Sequence, residues 1–131
     1  MTMWRLLIVF GWLSLGAAPV LAQDKATIEK LNDLWTTAFN KGDAAAVAAL
    51  YTEDAYVLPP GAEMVKGRVA IEAFWRQAAR QMGDAKLTTL DVLPLGPEAA
   101  REIGTVSLTK TKPPQEIAAK YVVVWRKAGG D

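Results

Sequence analysis

Two glutamates, Glu102 and Glu63, are the side chains of this sequence that could perform acid–base chemistry. The 131 residues include no histidine and no cysteine, so the commonest general base and the commonest metal ligand are both absent. Glu102 lies in a segment of alternating pattern, which places it on one face of a strand with Ala100, Gly104, Val106 and Leu108. A carboxylate that shares an apolar face with such residues could act as a general acid or base.

Each of these acids also has a simpler interpretation. Glu102 could point to solvent or pair with a neighbouring cation such as Lys120. Glu63 follows a Pro-Pro-Gly turn, where a solvated loop acid is more common than a group at the rim of a pocket. Asp54 is expected to bond nearby backbone amides in a turn, as Asx residues do.

A second set of residues predicts binding of a small molecule. Several aromatic residues fall on helical and strand patterns, and most of them are expected to be core. Indole and phenol groups keep a polar atom that needs a partner when it is buried, so a few of them suit a pocket wall. With Glu102, the predicted ligand-binding residues are Trp35, Tyr56, Leu58, Met64, Val123 and Trp125, which suit a flat, hydrophobic molecule.

Composition argues against several other classes of site. The 15 basic and 14 acidic residues nearly balance, and no run of five Lys or Arg occurs, so we expect no nucleic-acid partner. The sequence contains no calcium-loop spacing and no nucleotide-binding or nucleophile-elbow motif. We therefore expect neither a metal nor a cofactor.

Three helices are predicted to position these residues. The first is capped by Asp24 and stops at Asn40-Lys41-Gly42, and its apolar residues recur at helical spacing. Asp43 caps a second, short helix over 44–51. A third helix follows Gly67 with a one-sided apolar stripe and ends near Gly83.

Strands make up most of the remaining chain. A short strand over 55–58 ends at the Pro59-Pro60-Gly61 turn, and longer strands are predicted over about 86–93, 99–110 and 116–127. Helices first and strands afterwards, with short connections, indicate the α+β class with an antiparallel sheet.

The order of several short segments resembles the nuclear transport factor 2-like superfamily, in its SnoaL-like and ketosteroid isomerase homologue branch. The matching segments are WTTAFNKGD (35–43), LYTEDA (50–55), LPPG (58–61), GRVAIEAFW (67–75), AREIG (100–104) and KYVVVW (120–125). This resemblance implies a cone-shaped fold, with N-terminal helices packed in a strongly curved antiparallel sheet around a ligand pocket. It also implies a homodimer, because many members pair sheet to sheet.

The resemblance also implies which reaction is absent. Ketosteroid isomerases use a carboxylate base, a tyrosine and a protonated aspartic acid. By motif, these positions correspond to Leu58, Trp35 and about Val123, none of which carries the required group. We therefore expect no isomerisation by that mechanism.

Both ends of the sequence carry expectations of their own. Arg5, the apolar run from Leu6 and the Val20-Leu21-Ala22 site predict a signal peptide over 1–22, and hence an exported, periplasmic or secreted domain over 23–131. No membrane contact is expected after cleavage. Members of the superfamily usually continue with another strand after the segment that ends here, so we expect the last strand to be missing and the domain to be truncated at its C-terminus.

Three hypotheses for function follow. The first is an exported protein that binds an unknown hydrophobic small molecule. The second is an isomerase or hydrolase that uses a pocket glutamate, Glu102 or Glu63. The third is a dimerisation or adaptor module whose cone is filled by side chains.

Overall fold

The computed structural model describes residues 24–128, and the predicted signal peptide lies outside the described residues. Helix α1 spans Lys25–Asn40, α2 spans Ala44–Ala48 and α3 spans Arg68–Gln81. Two short strands, β1 (Tyr56–Val57) and β2 (Val65–Lys66), form a hairpin before α3. Three long strands follow: β3 (Met82–Pro94), β4 (Ala99–Thr111) and β5 (Pro114–Arg126). Within residues 24–128, no helix is both long and apolar enough to cross a membrane.

The helix boundaries follow from their capping residues. The side chain of Asp24 accepts a hydrogen bond from the backbone N–H of Thr27 at 2.9 Å, and Asp43 accepts one from Ala46 at 3.0 Å. Both predicted caps are confirmed. Helix α2 ends at Ala48, three residues before the predicted end at Tyr51, because the backbone turns there and the Tyr51 carbonyl accepts two hydrogen bonds from the Arg68 guanidinium.

The long strands form an antiparallel sheet in the order β3-β4-β5, which confirms the predicted α+β class. The register of β4 with β5 is unbroken over thirteen pairs, whereas β3 shifts against β4 at two places. Such bulges bend a strand and increase its twist. The helices pack against β3 and against one another. The sheet is curved and not closed.

The core is aromatic where α1 meets α3. The Trp35 ring stacks on Phe39 with centroids 4.9 Å apart and meets Trp75 edge to face at 5.1 Å. Val47 from α2 and Ala78 from α3 complete this cluster. Burial of an apolar side chain such as Val47, which has no exposed surface, stabilises the fold by roughly 1.5–3 kcal/mol.

One polar contact ties α1 to the outer edge of the sheet. The Asn40 side chain donates to the Ala85 carbonyl at 3.2 Å and accepts from the Ala85 N–H at 2.8 Å. Ala85 lies within the first register shift of β3, where pairing with β4 is interrupted. The carboxamide thus takes the place of a neighbouring strand at this one residue.

Candidate functional site

Glu102 is the centre of a buried polar cluster on the inner face of the sheet. Its side chain has no exposed surface, although it is charged and lies in the middle of β4. Oε1 accepts hydrogen bonds from Asn32 Nδ2 at 2.6 Å, Tyr121 OH at 2.6 Å and Thr89 Oγ1 at 2.9 Å. Oε2 accepts one, from Trp125 Nε1 at 2.8 Å. An acceptor-only group surrounded by donors suits the ionised carboxylate.

Strand register brings the cluster together. Glu102 pairs with Val123, so Tyr121 and Trp125, two residues to either side, share its face of the sheet. Thr89 pairs with Gly104 on the opposite neighbour, next to the second register shift of β3. Asn32 reaches the same point from the buried face of α1 and also donates to Thr89 Oγ1 at 3.1 Å. Three elements therefore surround the carboxylate on β4 with hydrogen-bond donors: α1 and β3 supply one each, and β5 supplies two.

Gly104 allows the Tyr121 side chain to lie across β4. A Cβ atom at residue 104 would overlap the ring and the hydroxyl of Tyr121 and would lie 2.6 Å from the Thr88 carbonyl oxygen. The φ angle of Gly104 lies outside the left-handed region, so the need for glycine here is one of space. Without this space the Tyr121 hydroxyl could not reach Glu102 in its present position.

Burial of the Tyr121 phenol, together with its hydrogen bond to Glu102, raises its pKa above the ordinary tyrosine value of 10.0. Both causes favour the neutral phenol, because a tyrosinate here would be desolvated and would face a carboxylate. Tyr121 therefore acts as a hydrogen-bond donor to Glu102 over the whole neutral pH range.

The comparisons with known proteins agree with this architecture. The profile of the SnoaL-like domain matches residues 33–131, which is most of the chain. The chain belongs to the SnoaL-like domain family. No curated protein matches its sequence.

Solved structures of this fold include proteins with different names. A ketosteroid isomerase-like protein from Erwinia carotovora atroseptica is 24% identical, with a TM-score of 0.65 over 79% of this chain and 84% of that chain. A putative calcium/calmodulin dependent protein kinase II association domain from Xanthomonas campestris is 26% identical, with a TM-score of 0.67 over 83% and 81%. An LEH-like epoxide hydrolase from Mycobacterium tuberculosis is 15% identical, with a TM-score of 0.58 over 77% and 73%. Together they support the cone fold that the sequence predicted.

In this SnoaL-like domain the predicted site residues occupy three separate places. Glu102, Val123 and Trp125 lie together on the inner face of the sheet. Trp35 lies in the aromatic core, where its indole donates to Tyr51 OH at 3.3 Å. The remaining four, Tyr56, Leu58, Glu63 and Met64, are exposed in and around the β1–β2 hairpin.

The alternative prediction, that Glu102 pairs with Lys120, is wrong. Lys120 is exposed and pairs with Thr105, on the opposite face of the sheet from Glu102. The carboxylate is satisfied by neutral donors instead. Asp54 bonds within its own turn, to Thr52 and its own backbone, and its Oδ1 also accepts from Arg126 at 3.0 Å.

Sequence reasoning missed three members of the cluster, Asn32, Thr89 and Tyr121. A signal for Asn32 was present: it lies four residues after Ile28 and three before Trp35, within the apolar stripe of α1. A polar residue inside such a stripe predicts a buried partner. Thr89 gave no comparable signal, because its inward position depends on a bulge that the strand pattern does not reveal.

A second polar centre lies at Tyr51, between α1 and α3. Its hydroxyl accepts hydrogen bonds from Trp35 Nε1 at 3.3 Å and from Trp75 Nε1 at 3.1 Å. Burial raises the pKa of the Tyr51 phenol, and the two indole donors oppose that shift. The group satisfies two core tryptophans, so its role is to complete the packing of the helices.

An open cleft of about 490 Å³ lies away from Glu102, where the end of β5 meets the loop after α2. Arg68 and Arg126 line it together with Glu53 and Asp54, so its cations and anions balance. In the part of the chain that the structure describes, no group of three or more acids could hold a metal ion.

Proposed function

We propose that this SnoaL-like domain binds a small, largely apolar molecule that donates one hydrogen bond to Glu102 Oε2. The observation that supports the proposal is that the two carboxylate oxygens of Glu102 accept different numbers of hydrogen bonds. Oε1 accepts three hydrogen bonds and Oε2 accepts one, although each carboxylate oxygen offers about two acceptor positions. The free acceptor position therefore belongs to Oε2, next to the indole of Trp125.

A purely structural role is a poor explanation for such a group. Charged side chains are almost never fully buried unless they are paired, and a buried carboxylate costs several kcal/mol of desolvation, by the order of magnitude known for buried ions. Within residues 24–128 no cation contacts Glu102, and four residues donate hydrogen bonds to it. A fixed acceptor in an apolar surrounding is the usual way in which a pocket orients its ligand.

The residues around Oε2 agree with a hydrophobic ligand. Trp125 and Val123 on β5 and Val92 on β3 are partly buried neighbours on the same face. Because Trp125 is less buried than Glu102, a ligand would approach along the indole and reach Oε2 at its end. We therefore expect a neutral or cationic molecule with a hydroxyl or amino group, since an anion would be repelled by the carboxylate.

The test is direct binding with matched variants. Native mass spectrometry of the purified full chain would look for a co-purified molecule, and titration with the neutral dye Nile red would measure access to the apolar face. We expect Trp125→Phe to change dye affinity severalfold and the control Glu63→Gln, at an exposed loop acid, to leave it unchanged. Nile red has no N–H or O–H to donate, so the effect of Glu102→Gln is measured as a reduced amount of the co-purified molecule. Equal dye affinities in the wild type, Trp125→Phe and Glu63→Gln, with no co-purified molecule, would refute the proposal.

A second function, acid–base catalysis, is favoured by the same free acceptor position. An Oε2 atom that can accept a ligand hydrogen bond can also accept a proton, and the exclusion of water from Glu102 would protect that transfer. The LEH-like epoxide hydrolase of the same fold is an enzyme by name. The test is turnover of a hydroxylated or epoxide substrate. Loss of turnover in Glu102→Gln, with turnover preserved in Glu63→Gln, would establish catalysis.

We also propose export, on the basis of the predicted leader over 1–22. Expression of the full chain with its leader in a bacterial host, followed by N-terminal sequencing of the product, tests this. A mature protein that begins at Gln23 in the periplasmic fraction is the expected result, and an uncleaved protein in the cytosol would contradict it.

A further inference from the structure

The groups that hold the Glu102 carboxylate carry no charge of their own. They are one carboxamide, two hydroxyls and one indole. No lysine or arginine forms an ion pair with Glu102 in the described part of the chain. Neutral donors stabilise an ionised carboxylate but do not cancel its charge. The inner face of the sheet therefore keeps one net negative charge, buried in an apolar surrounding where its field is weakly screened.

The basic residues of the neighbouring elements are directed away from this charge. Arg101, the next residue along β4, lies on the outer face and pairs with an aspartate of β3. Lys120 on β5 also lies on the outer face, and both lysines of α1 are exposed, whereas Asn32 on the same helix is buried. Lys110 shares the face of Glu102 but lies about 26 Å away along the strand. A positive charge beside Glu102 would thus have to come from a bound molecule.

We propose that the ligand of this site is a protonated amine with an apolar body, whose ammonium group donates to the free acceptor position of Oε2. This inference rests on the proposed function, which assigns that position to a ligand. A hydroxyl group would satisfy the hydrogen bond and leave the buried charge in place. An ammonium group would satisfy the same hydrogen bond and also neutralise the charge, at a distance where unlike charges attract strongly.

The surroundings of Oε2 limit the rest of the ligand. Ala100, which is 1% exposed, pairs with Trp125, and Val92 and Val123 lie to either side of Glu102. These neighbours offer apolar surface and no second charge. A zwitterion such as an amino acid would bring a carboxylate that finds no cation there, beside a carboxylate that repels it. The site therefore suits a molecule with a single ammonium group at the end of a hydrophobic body.

A matched set of probes tests the charge of the ligand. 2-Phenylethylamine and 2-phenylethanol have the same size and differ only in the ammonium or hydroxyl group. Titration of the purified full chain, followed by NMR of the indole N–H signals, measures both affinities. The Trp125 Nε1–H donates to Oε2 at 2.8 Å, so its signal reports a ligand at that atom, and Trp125→Phe assigns it.

We expect the amine to bind about tenfold more tightly than the alcohol, the low end of the coupling found for close charge pairs. Phenylalanine, which adds a carboxylate to the amine, should bind more weakly than either. These comparisons use the wild type and do not depend on the folding of any variant. In Glu102→Gln, which removes the charge, the preference for the amine should disappear. The control Glu116→Gln, at an exposed acid on the outer face of β5, makes the same charge change and should keep the preference.

Three results would overturn the inference. If the alcohol binds as tightly as the amine, the inference fails and the proposed function stands. If the preference for the amine persists in Glu102→Gln, the amine is recognised at another place. If neither probe shifts the Trp125 signal, the inference also fails, and the Nile red titration decides separately whether the apolar face binds any ligand.

Discussion

Replacement of Gly104 by alanine should displace Tyr121 and weaken the Glu102 cluster. The new methyl group would overlap the Tyr121 ring, which would have to withdraw by about 1 Å to reach an ordinary contact distance of ~3.5 Å. A movement of that size lengthens the 2.6 Å hydrogen bond from Tyr121 OH to Glu102 beyond hydrogen-bond range.

The expected loss of stability is the sum of two contributions. Overpacking of a core position costs about 1–3 kcal/mol, and loss of a hydrogen bond to a charged group costs about 1.5–3 kcal/mol. We expect Gly104→Ala to lower the free energy of unfolding by about 3–5 kcal/mol, the middle of that sum. The φ angle of residue 104 adds no cost, because it lies outside the left-handed region, but the new methyl group would also lie 2.6 Å from the Thr88 carbonyl oxygen, an overlap that movement of Tyr121 does not relieve.

Urea unfolding followed by tryptophan fluorescence measures this change, and a double-mutant cycle assigns it. In a Tyr121→Ala background the ring is gone, so Gly104→Ala should cost about 2 kcal/mol less than in the wild type. The control is Gly83→Ala, also in a strand, where a new methyl group meets nothing within 4 Å. We expect that change to be close to neutral. Additive costs for Gly104→Ala and Tyr121→Ala would refute the steric argument.

Three further predictions follow from the polar contacts. The folded-state pKa of Tyr121 is raised, so its contribution to the free energy of unfolding is complete below the unfolded value near 10 and is lost as pH rises above it. The free energy of unfolding of Tyr121→Phe, measured by urea titration at alkaline pH, should therefore fall less steeply with pH than that of the wild type, and equal slopes would contradict this. Tyr51→Phe leaves two indole N–H groups without an acceptor and should cost about 2–4 kcal/mol by urea unfolding, with a changed tryptophan emission spectrum; an unchanged midpoint would contradict this. Asn40→Ala should cost about 1–2 kcal/mol and speed hydrogen exchange at the Ala85 amide, and equal exchange rates would show that water replaces the side chain there.

Much of the fold could be predicted because its signals are local. Asp24 and Asp43 cap helices through their own side chains, and Gly67 precedes α3, so each boundary is encoded within a few residues. The alternation of β4 placed Glu102 with Ala100 and Gly104 on one face, and the register confirms this. The end of α2 was less accessible, because it depends on Arg68, seventeen residues beyond Tyr51.

The candidate site could be predicted only in part, because it is assembled from distant segments. Glu102 and Asn32 are seventy residues apart, and no local pattern connects them. The aromatic residues were predicted to form one pocket, but helical packing holds Trp35 against Tyr51 while strand register holds Trp125 against Glu102. Leu58, at the position of the isomerase base, is 73% exposed and away from both clusters. The chemistry of each side chain was therefore easier to predict than the cluster that the side chain joins in the folded protein.

The hydrogen bonds between Asn40 and Ala85 limit how far the sheet can grow. An open sheet has two edge strands, and a chain whose two edge strands could both pair with other chains could add copies without end, as fibrils do. At β3 the carboxamide of Asn40 already holds the N–H and C=O of Ala85, and the register shift beside it bends the strand. One asparagine at the end of a helix therefore hinders this edge of the sheet from pairing with another chain.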